Sequence, residues 1–155
     1  MTVINSAILL VRRINETQRR RDALVDRLDM MRRGLPEWTF EPLQLVGMSS
    51  QEIRSAMSDL SRAESDAGIG EVEKEIEKLD ARLEELENLL LSTPARSLDC
   101  AQAILDLAIQ RFRSQTTNDP NDLFYDYGDA RVLRFLERAA EEMRTLMAED
   151  ERAYA

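Results

Sequence analysis

Histidine is absent from this chain of 155 residues, which removes the side chain that most often acts as an acid-base catalyst near neutral pH. Without histidine the chain cannot form a Ser-His-Asp triad or the Glu-x-x-His ligands of carboxylate-bridged metal bundles. Its carboxylates are spaced as on helix surfaces, with no isolated acid at an apolar position. We therefore expect a protein that is not an enzyme and has no catalytic residue, cofactor or metal ligand.

Cysteine occurs once, and there are only five glycines and four prolines. A single cysteine excludes an internal disulfide framework, and the position of Cys100 near Ile104 in an amphipathic pattern predicts a small buried side chain. Few helix breakers, together with 33% charged and 43% hydrophobic residues, are typical of helical bundles and coiled coils. We expect one elongated all-α domain over residues 1–155, because a chain of this length supports a single modest core.

Long hydrophobic runs are also missing. The apolar run Ala7–Val11 is too short for a membrane span or a signal-peptide core, and no basic segment precedes it. The sequence therefore predicts a cytoplasmic protein without membrane contact. Its net charge of −9 disfavours indiscriminate binding to polyanions.

The strongest pattern present is a row of six apolar residues at alternating spacings of four and three, which lie on one narrow helical stripe. This heptad seam consists of Val72, Ile76, Leu79, Leu83, Leu86 and Leu90. Such a stripe must be covered by another helix, either from this chain or from a second copy. The seam therefore predicts a coiled coil, and we expect the chain to form a homodimer.

A second heptad frame begins at Ile4 and continues to Leu35, with Gln18, Arg21 and Arg32 as its polar members. It predicts a first helix over residues 2–33. Glycine suits the left-handed residue beyond a helix end and proline cannot continue a helix, so Gly34 and Pro36 should end it. We expect this helix to pack against the seam helix as a long antiparallel hairpin within a helical bundle.

Four further helices are predicted over residues 50–67, 71–92, 94–115 and 129–152. Ser49 and Glu52 form a capping-box pattern before the first of them, and a glycine pair, Gly68 and Gly70, interrupts the pattern before the second. The other two starts have simpler signals. Thr93 can cap a helix whose first position is Pro94, Ser97 offers a second cap, and Gly128 precedes the final helix.

The connections over residues 35–49 and 116–128 carry no readable regular structure, yet they contain the aromatic residues Trp38, Phe40, Tyr125 and Tyr127. We expect these rings to plug the ends of the bundle, with anchoring of a partner as the alternative. The acids of the second connection favour helix capping and solvation over calcium binding. An EF-hand loop beginning at Asp119 would need glycine where Phe124 stands.

Charge is distributed unevenly along the chain. Residues 1–34 carry eight basic and four acidic side chains, whereas residues 50–92 carry five basic and twelve acidic ones. Six basic side chains occupy outward b and c positions of the first heptad frame. This arginine stripe consists of Arg12, Arg13, Arg19, Arg20, Arg27 and Arg33.

Two interpretations of the arginine stripe remain open. The basic first helix can complement the acidic seam helix within the chain, through surface ion pairs that help to set the register. Alternatively, the stripe is a recognition face for an acidic partner protein or for nucleic acid. Asp26 within the stripe, the overall acidity and the lack of a known DNA-binding motif disfavour nucleic acid.

The segment ELENLLLSTPARSLDCAQAILDLAIQRF, followed by a loop and RVLRFLERAAEEMRTLM, resembles a set of small, often prophage-associated bacterial helical proteins. Those proteins share an acidic helix, a TPA turn and two terminal helices. The resemblance covers residues 85–147, and its specific part is Thr93, Pro94 and Ala95. Because that family has no known function, the resemblance implies only an accessory, non-enzymatic role.

From these patterns we expect a helical structural or adaptor protein that mediates protein-protein interaction. A regulator that binds nucleic acid through the arginine stripe is the alternative.

Overall fold

The computed structural model describes residues 6–36 and 46–154, which contain five α-helices and no strand. The helices are α1 (Ser6–Arg33), α2 (Ser50–Asp66), α3 (Ile69–Ser92), α4 (Leu98–Gln115) and α5 (Tyr127–Ala153). The predicted all-α class is confirmed. No helix within the described ranges has the length and apolarity that a bilayer span requires.

The contacts divide the chain into two compact units. The α2 unit comprises Ile14–Leu86, and the α4–α5 unit comprises Met1–Arg13 with Glu87–Ala155. Helices α1 and α3 contribute residues to both. That residues 1–155 form one domain remains a prediction.

The core of the α2 unit is formed where the second half of α1 packs against the first turns of α3. Its buried cluster consists of Leu28, Ile69, Val72 and Ile76, with Leu24, Val25, Met31 and Leu35 packed around it. Leu28 and Val25 belong to the heptad frame of α1, and Val72 and Ile76 belong to the heptad seam. Full burial of one such aliphatic side chain contributes about 1.5–3 kcal/mol, so this cluster stabilises the α1–α3 contact.

Helix α1 ends at Arg33 as predicted, but the mechanism differs. Among the described glycines only Gly47 and Gly68 have positive φ, so Gly34 is not left-handed. Instead the amide of Leu35 donates to the carbonyl of Arg32 at 3.0 Å, which tightens the last turn in the manner of a 3-10 helix. The predicted start at residue 2 lies outside the described residues.

Gly68 separates α2 from α3 and has a φ of 74°, a conformation that glycine adopts without steric cost. Helix α3 begins directly after it at Ile69, two residues before the predicted start, because Gly70 is accommodated in the first turn.

At the other end of α2 the predicted capping box is confirmed. The Ser49 hydroxyl accepts the Glu52 amide at 3.3 Å, and the Glu52 carboxylate accepts the Ser49 amide at 2.7 Å.

In the α4–α5 unit, α4 and α5 pack on each other through a second core. Ile109, Leu133 and Ala140 are buried there, and Leu105, Phe112 and Leu136 pack against them. Cys100 is fully buried in α4, as predicted.

The predicted start of α4 at Pro94 is wrong. The Thr93 hydroxyl donates to the Leu89 carbonyl at 2.7 Å and so helps to end α3, while Ser97 caps α4.

Helix α5 begins at Tyr127, two residues before the predicted start, because the Asp126 side chain accepts the amide of Asp129 at 2.9 Å. Asp119 and Asp122 accept amides two residues further along the connection, so these acids shape the backbone locally. Tyr127 is 67% exposed and does not plug the bundle, contrary to our expectation. Trp38 and Phe40 lie outside the described residues.

The capping box makes a local stability prediction for α2. Replacing Ser49 by Ala removes the acceptor for the Glu52 amide, and we expect the first turn of α2 to lose about 1 kcal/mol. Amide hydrogen exchange at the first turn measures this loss. Ser55→Ala, an exposed change within the same helix, is the matched control and should not weaken protection of the first turn, because alanine favours the helix. Equal exchange in the two variants would show that the cap does not stabilise α2.

The same cap also predicts a pH dependence. The hydrogen bond from the Ser49 amide lowers the pKa of Glu52 below its ordinary value. Because the folded pKa is depressed, the stabilisation is complete above the unfolded pKa and is lost as the pH falls through the folded value. Protection of the first turn should decrease over that acidic range in the wild type, and less so in Glu52→Gln. Parallel decreases in both proteins would contradict the assignment.

Candidate functional site

Three acids at seven-residue spacing along one side of α3 each form an ion pair with an arginine from another helix. In the α2 unit, Glu73 pairs with Arg32 at 2.7 Å and Asp80 pairs with Arg21 at 2.6 Å. In the α4–α5 unit, the Glu87 carboxylate pairs with Arg111. All these side chains are partly exposed, so each pair contributes little stability and mainly aligns the helices.

The order of the pairs in the α2 unit is that of antiparallel helices, because the later arginine of α1 contacts the earlier acid of α3. The hydrogen bond to Asp80 raises the pKa of Arg21 above its ordinary value. We did not predict Arg21 and Arg32 as contact residues. The available signal was their place in the heptad frame, on the side of α1 that faces a neighbouring helix.

The arginine stripe lies on the opposite, exposed side of α1. Arg19, Arg20, Arg27 and Arg33 belong to the α2 unit, and none of them forms an ion pair with a residue that the structure describes. Arg12 and Arg13 belong to the other unit and are exposed as well. The predicted complementarity between α1 and α3 is therefore supplied by Arg21 and Arg32, and not by the four stripe residues of the α2 unit.

Every member of the heptad seam is buried within the single chain, with at most 9% of each residue exposed. This chain therefore covers the apolar stripe that the sequence indicated. The same burial means that a second copy could reach the seam only if the chain rearranged. Coiled-coil geometry and a homodimer through the seam remain predictions.

Helix α5 carries a second apolar row that is not covered. The helical spacing of its members, Val132, Phe135, Ala139 and Leu146, predicts a widened apolar face that contacts two neighbouring helices, but all four residues are exposed. We call this row the α5 stripe. The Arg131 guanidinium lies 5.6 Å from the centre of the Phe135 ring and 6.0 Å from that of Tyr127, within cation-π range of both.

A groove of about 510 Å³ lies beside the C-terminal end of the α5 stripe, between the start of α4 and the last turns of α5. Its apolar lining consists of Leu98, Met143, Leu146 and Met147, and its acidic lining of Asp99, Asp150 and Glu151. Leu98 and Leu146 are 64% and 62% exposed, respectively. The groove therefore presents apolar surface beside negative charge, which suits an apolar group accompanied by a cation.

Within residues 6–36 and 46–154, no cluster of three or more histidine, cysteine or acidic side chains could hold a metal ion. Comparisons with protein-family models, with curated proteins and with solved structures found no match. The resemblance to prophage-associated helical proteins therefore remains a prediction.

The ion pair between Arg21 and Asp80 can be tested by a double-mutant cycle. We expect Arg21→Ala and Asp80→Ala to be coupled by about 0.2–1 kcal/mol in the free energy of unfolding, measured with urea, because the pair is partly exposed. The matched cycle combines Arg20→Ala with Asp80→Ala and should show no coupling. Equal coupling in both cycles would mean that the general charge of α1, and not this contact, produces the effect.

Proposed function

We propose that this chain is a non-enzymatic adaptor of the cytoplasm, and that the arginine stripe of α1 binds an acidic partner protein. One observation carries the proposal: four arginines of the stripe in the α2 unit are exposed and form no ion pair inside the described chain. Two acids of α3 that contact α1, Glu73 and Asp80, already form ion pairs with Arg32 and Arg21, respectively.

The spacing of these guanidinium groups supports recognition of a charged partner. Arg20 and Arg27 are seven residues apart, which corresponds to about 10 Å along a helix. That separation is close to the Debye length at about 0.1 M salt, so their mutual repulsion is only partly screened. An acidic surface that contacts both groups would relieve this repulsion and would be attracted over the same range. Asp26 interrupts the stripe and disfavours a continuous phosphate backbone.

Nucleic acid is the second candidate, because arginines clustered on one helix face are also the pattern that contacts phosphates. The net charge of −9 opposes this candidate at long range. The four stripe arginines of the α2 unit limit the number of phosphates that could be neutralised there. Binding to duplex DNA through all four would give a slope of about −3.6 in log affinity against log salt.

The proposal is tested with a triple variant, Arg19→Glu, Arg20→Glu and Arg27→Glu. Wild-type protein is immobilised, exposed to native-cell extract with and without nuclease, and the bound proteins are identified by mass spectrometry. We expect a partner that resists nuclease and is lost with the triple variant. The matched control, Arg54→Glu, Arg62→Glu and Arg96→Glu, changes the net charge equally and should retain the partner.

Direct binding separates the two candidates. Fluorescence anisotropy with a labelled DNA duplex should show no steep salt-dependent binding by the wild type if the partner is a protein. Binding that falls steeply with salt and disappears in the triple variant would establish the nucleic-acid alternative and overturn the adaptor proposal. Retention of the same proteins by both triple variants would show that the arginine stripe does not bind them.

A further inference from the structure

We propose that α5 is a self-association face on which a second copy of this chain docks antiparallel, each copy placing Phe135 in the other's acidic groove. This inference concerns the α4–α5 unit and does not depend on the arginine stripe. It rests on three observations within that unit: an exposed apolar stripe, a groove that fits an aromatic side chain beside a cation, and a separation of charge along α5.

The exposed apolar side chains are the first observation. Phe135, in the first half of the α5 stripe, is 63% exposed, although α5 buries Leu133 and Ala140 against α4 on the adjoining side. The four stripe residues are spaced by three, four and seven positions, so their side chains lie on one side of α5. An uncovered strip of this kind marks an interaction surface.

Phe135 and the groove form a complementary pair. The groove has apolar walls, including Met143 and Met147, whose flexible side chains adapt to an inserted ring. Arg131 accompanies Phe135 at 5.6 Å from the ring centre, and Asp150 lies on the rim of the groove. An aromatic ring and an arginine inserted together into such a pocket are typical of the residues that dominate binding energy at interfaces.

The register of an antiparallel pair satisfies both contacts at once. If Phe135 of one copy faces Leu146 of the other, the two-fold axis crosses α5 between residues 140 and 141. The same axis brings Arg131 opposite Asp150, since their midpoint also falls between residues 140 and 141. Ala139, which is small and exposed, lies close to this axis and faces Glu142 of the other copy. Each copy then inserts its Phe135 into the groove of the other. Because the two contacts are identical, the interface joins two copies only and does not extend into a filament.

The charges along α5 favour an antiparallel arrangement of the two α5 helices in the dimer. Along α5 the charged side chains without an ion pair inside the described chain are basic in the first half and acidic in the second, apart from Asp129 and Arg152 at the two ends, whose midpoint also falls between residues 140 and 141. They are Arg131 and Arg134, then Glu141, Glu149, Asp150 and Glu151. An antiparallel copy places unlike charges opposite each other, whereas a parallel copy would oppose like charges. A second copy therefore matches this face in both apolar shape and charge.

The test uses two singly charge-reversed full-length chains, Arg131→Glu and Asp150→Arg, studied alone and mixed. Sedimentation equilibrium should show a wild-type dimer, and each variant alone should raise the dissociation constant by about tenfold or more. Mixing the two variants should restore a dimer containing one chain of each type, because both contacts then again join unlike charges. Native mass spectrometry identifies the mixed dimer, and circular dichroism verifies that each chain is folded.

Leu123→Glu is the matched control, since Leu123 is 90% exposed in the same unit but lies outside the α5 stripe and the groove. It should dimerise like the wild type. The proposal is overturned by a monomeric wild type, which would leave the stripe to a different partner, or by single variants that dimerise normally. It is also overturned if the mixture stays monomeric, or if Leu123→Glu abolishes the dimer equally.

Discussion

The apolar side chains of the heptad seam must be removed from water, and this requirement determines how α1 and α3 pack in the α2 unit. In the α2 unit, Ile69, Val72 and Ile76 are buried against α1, whose heptad frame offers apolar side chains at matching intervals. Burial supplies the free energy, and it does not by itself select one orientation of the two helices. The pairs of Arg21 with Asp80 and of Arg32 with Glu73 supply that selection, because only an antiparallel arrangement satisfies both.

This packing also decides which surfaces remain for other molecules. Because α1 turns its frame residues toward α3, its b and c positions face water and carry the arginine stripe. In the α4–α5 unit, α5 uses one side against α4 and leaves the α5 stripe uncovered. The two surfaces differ in chemistry, since one is a row of cations and the other an apolar strip with separated charges.

Periodicity was sufficient to predict the helices and the core of this protein. The seam residues, the buried Cys100 and the capping box of Ser49 and Glu52 were readable because each depends on spacing within one helix. Helix starts at Pro94 and residue 129 were wrong because competing local hydrogen bonds decided them. The Thr93 hydroxyl bonds backward to Leu89, and Asp126 captures the amide of Asp129. Such choices between two available caps depend on the fold of the connecting segment.

The candidate surfaces were only partly predictable for a related reason. Sequence indicated that the arginine stripe faces outward, but it could not tell which arginines of α1 would reach α3. It predicted that the widened apolar face of α5 would be covered, because spacing reveals an apolar face and not the number of neighbours available to it. Exposure of Phe135 and Leu146 becomes evident only when the helices of the unit have been placed.

Cross-linking can test whether α1 covers α3 of the same chain. Arg21→Cys and Asp80→Cys are combined in a Cys100→Ser background, equal amounts of ¹⁴N- and ¹⁵N-labelled protein are unfolded together and refolded, and a short bismaleimide links the thiols. Mass spectrometry of the linked peptides should then show links within single chains only, because the Arg21 and Asp80 side chains meet at 2.6 Å inside one chain. Abundant links joining ¹⁴N to ¹⁵N peptides would show that a second copy covers the seam and would contradict this account.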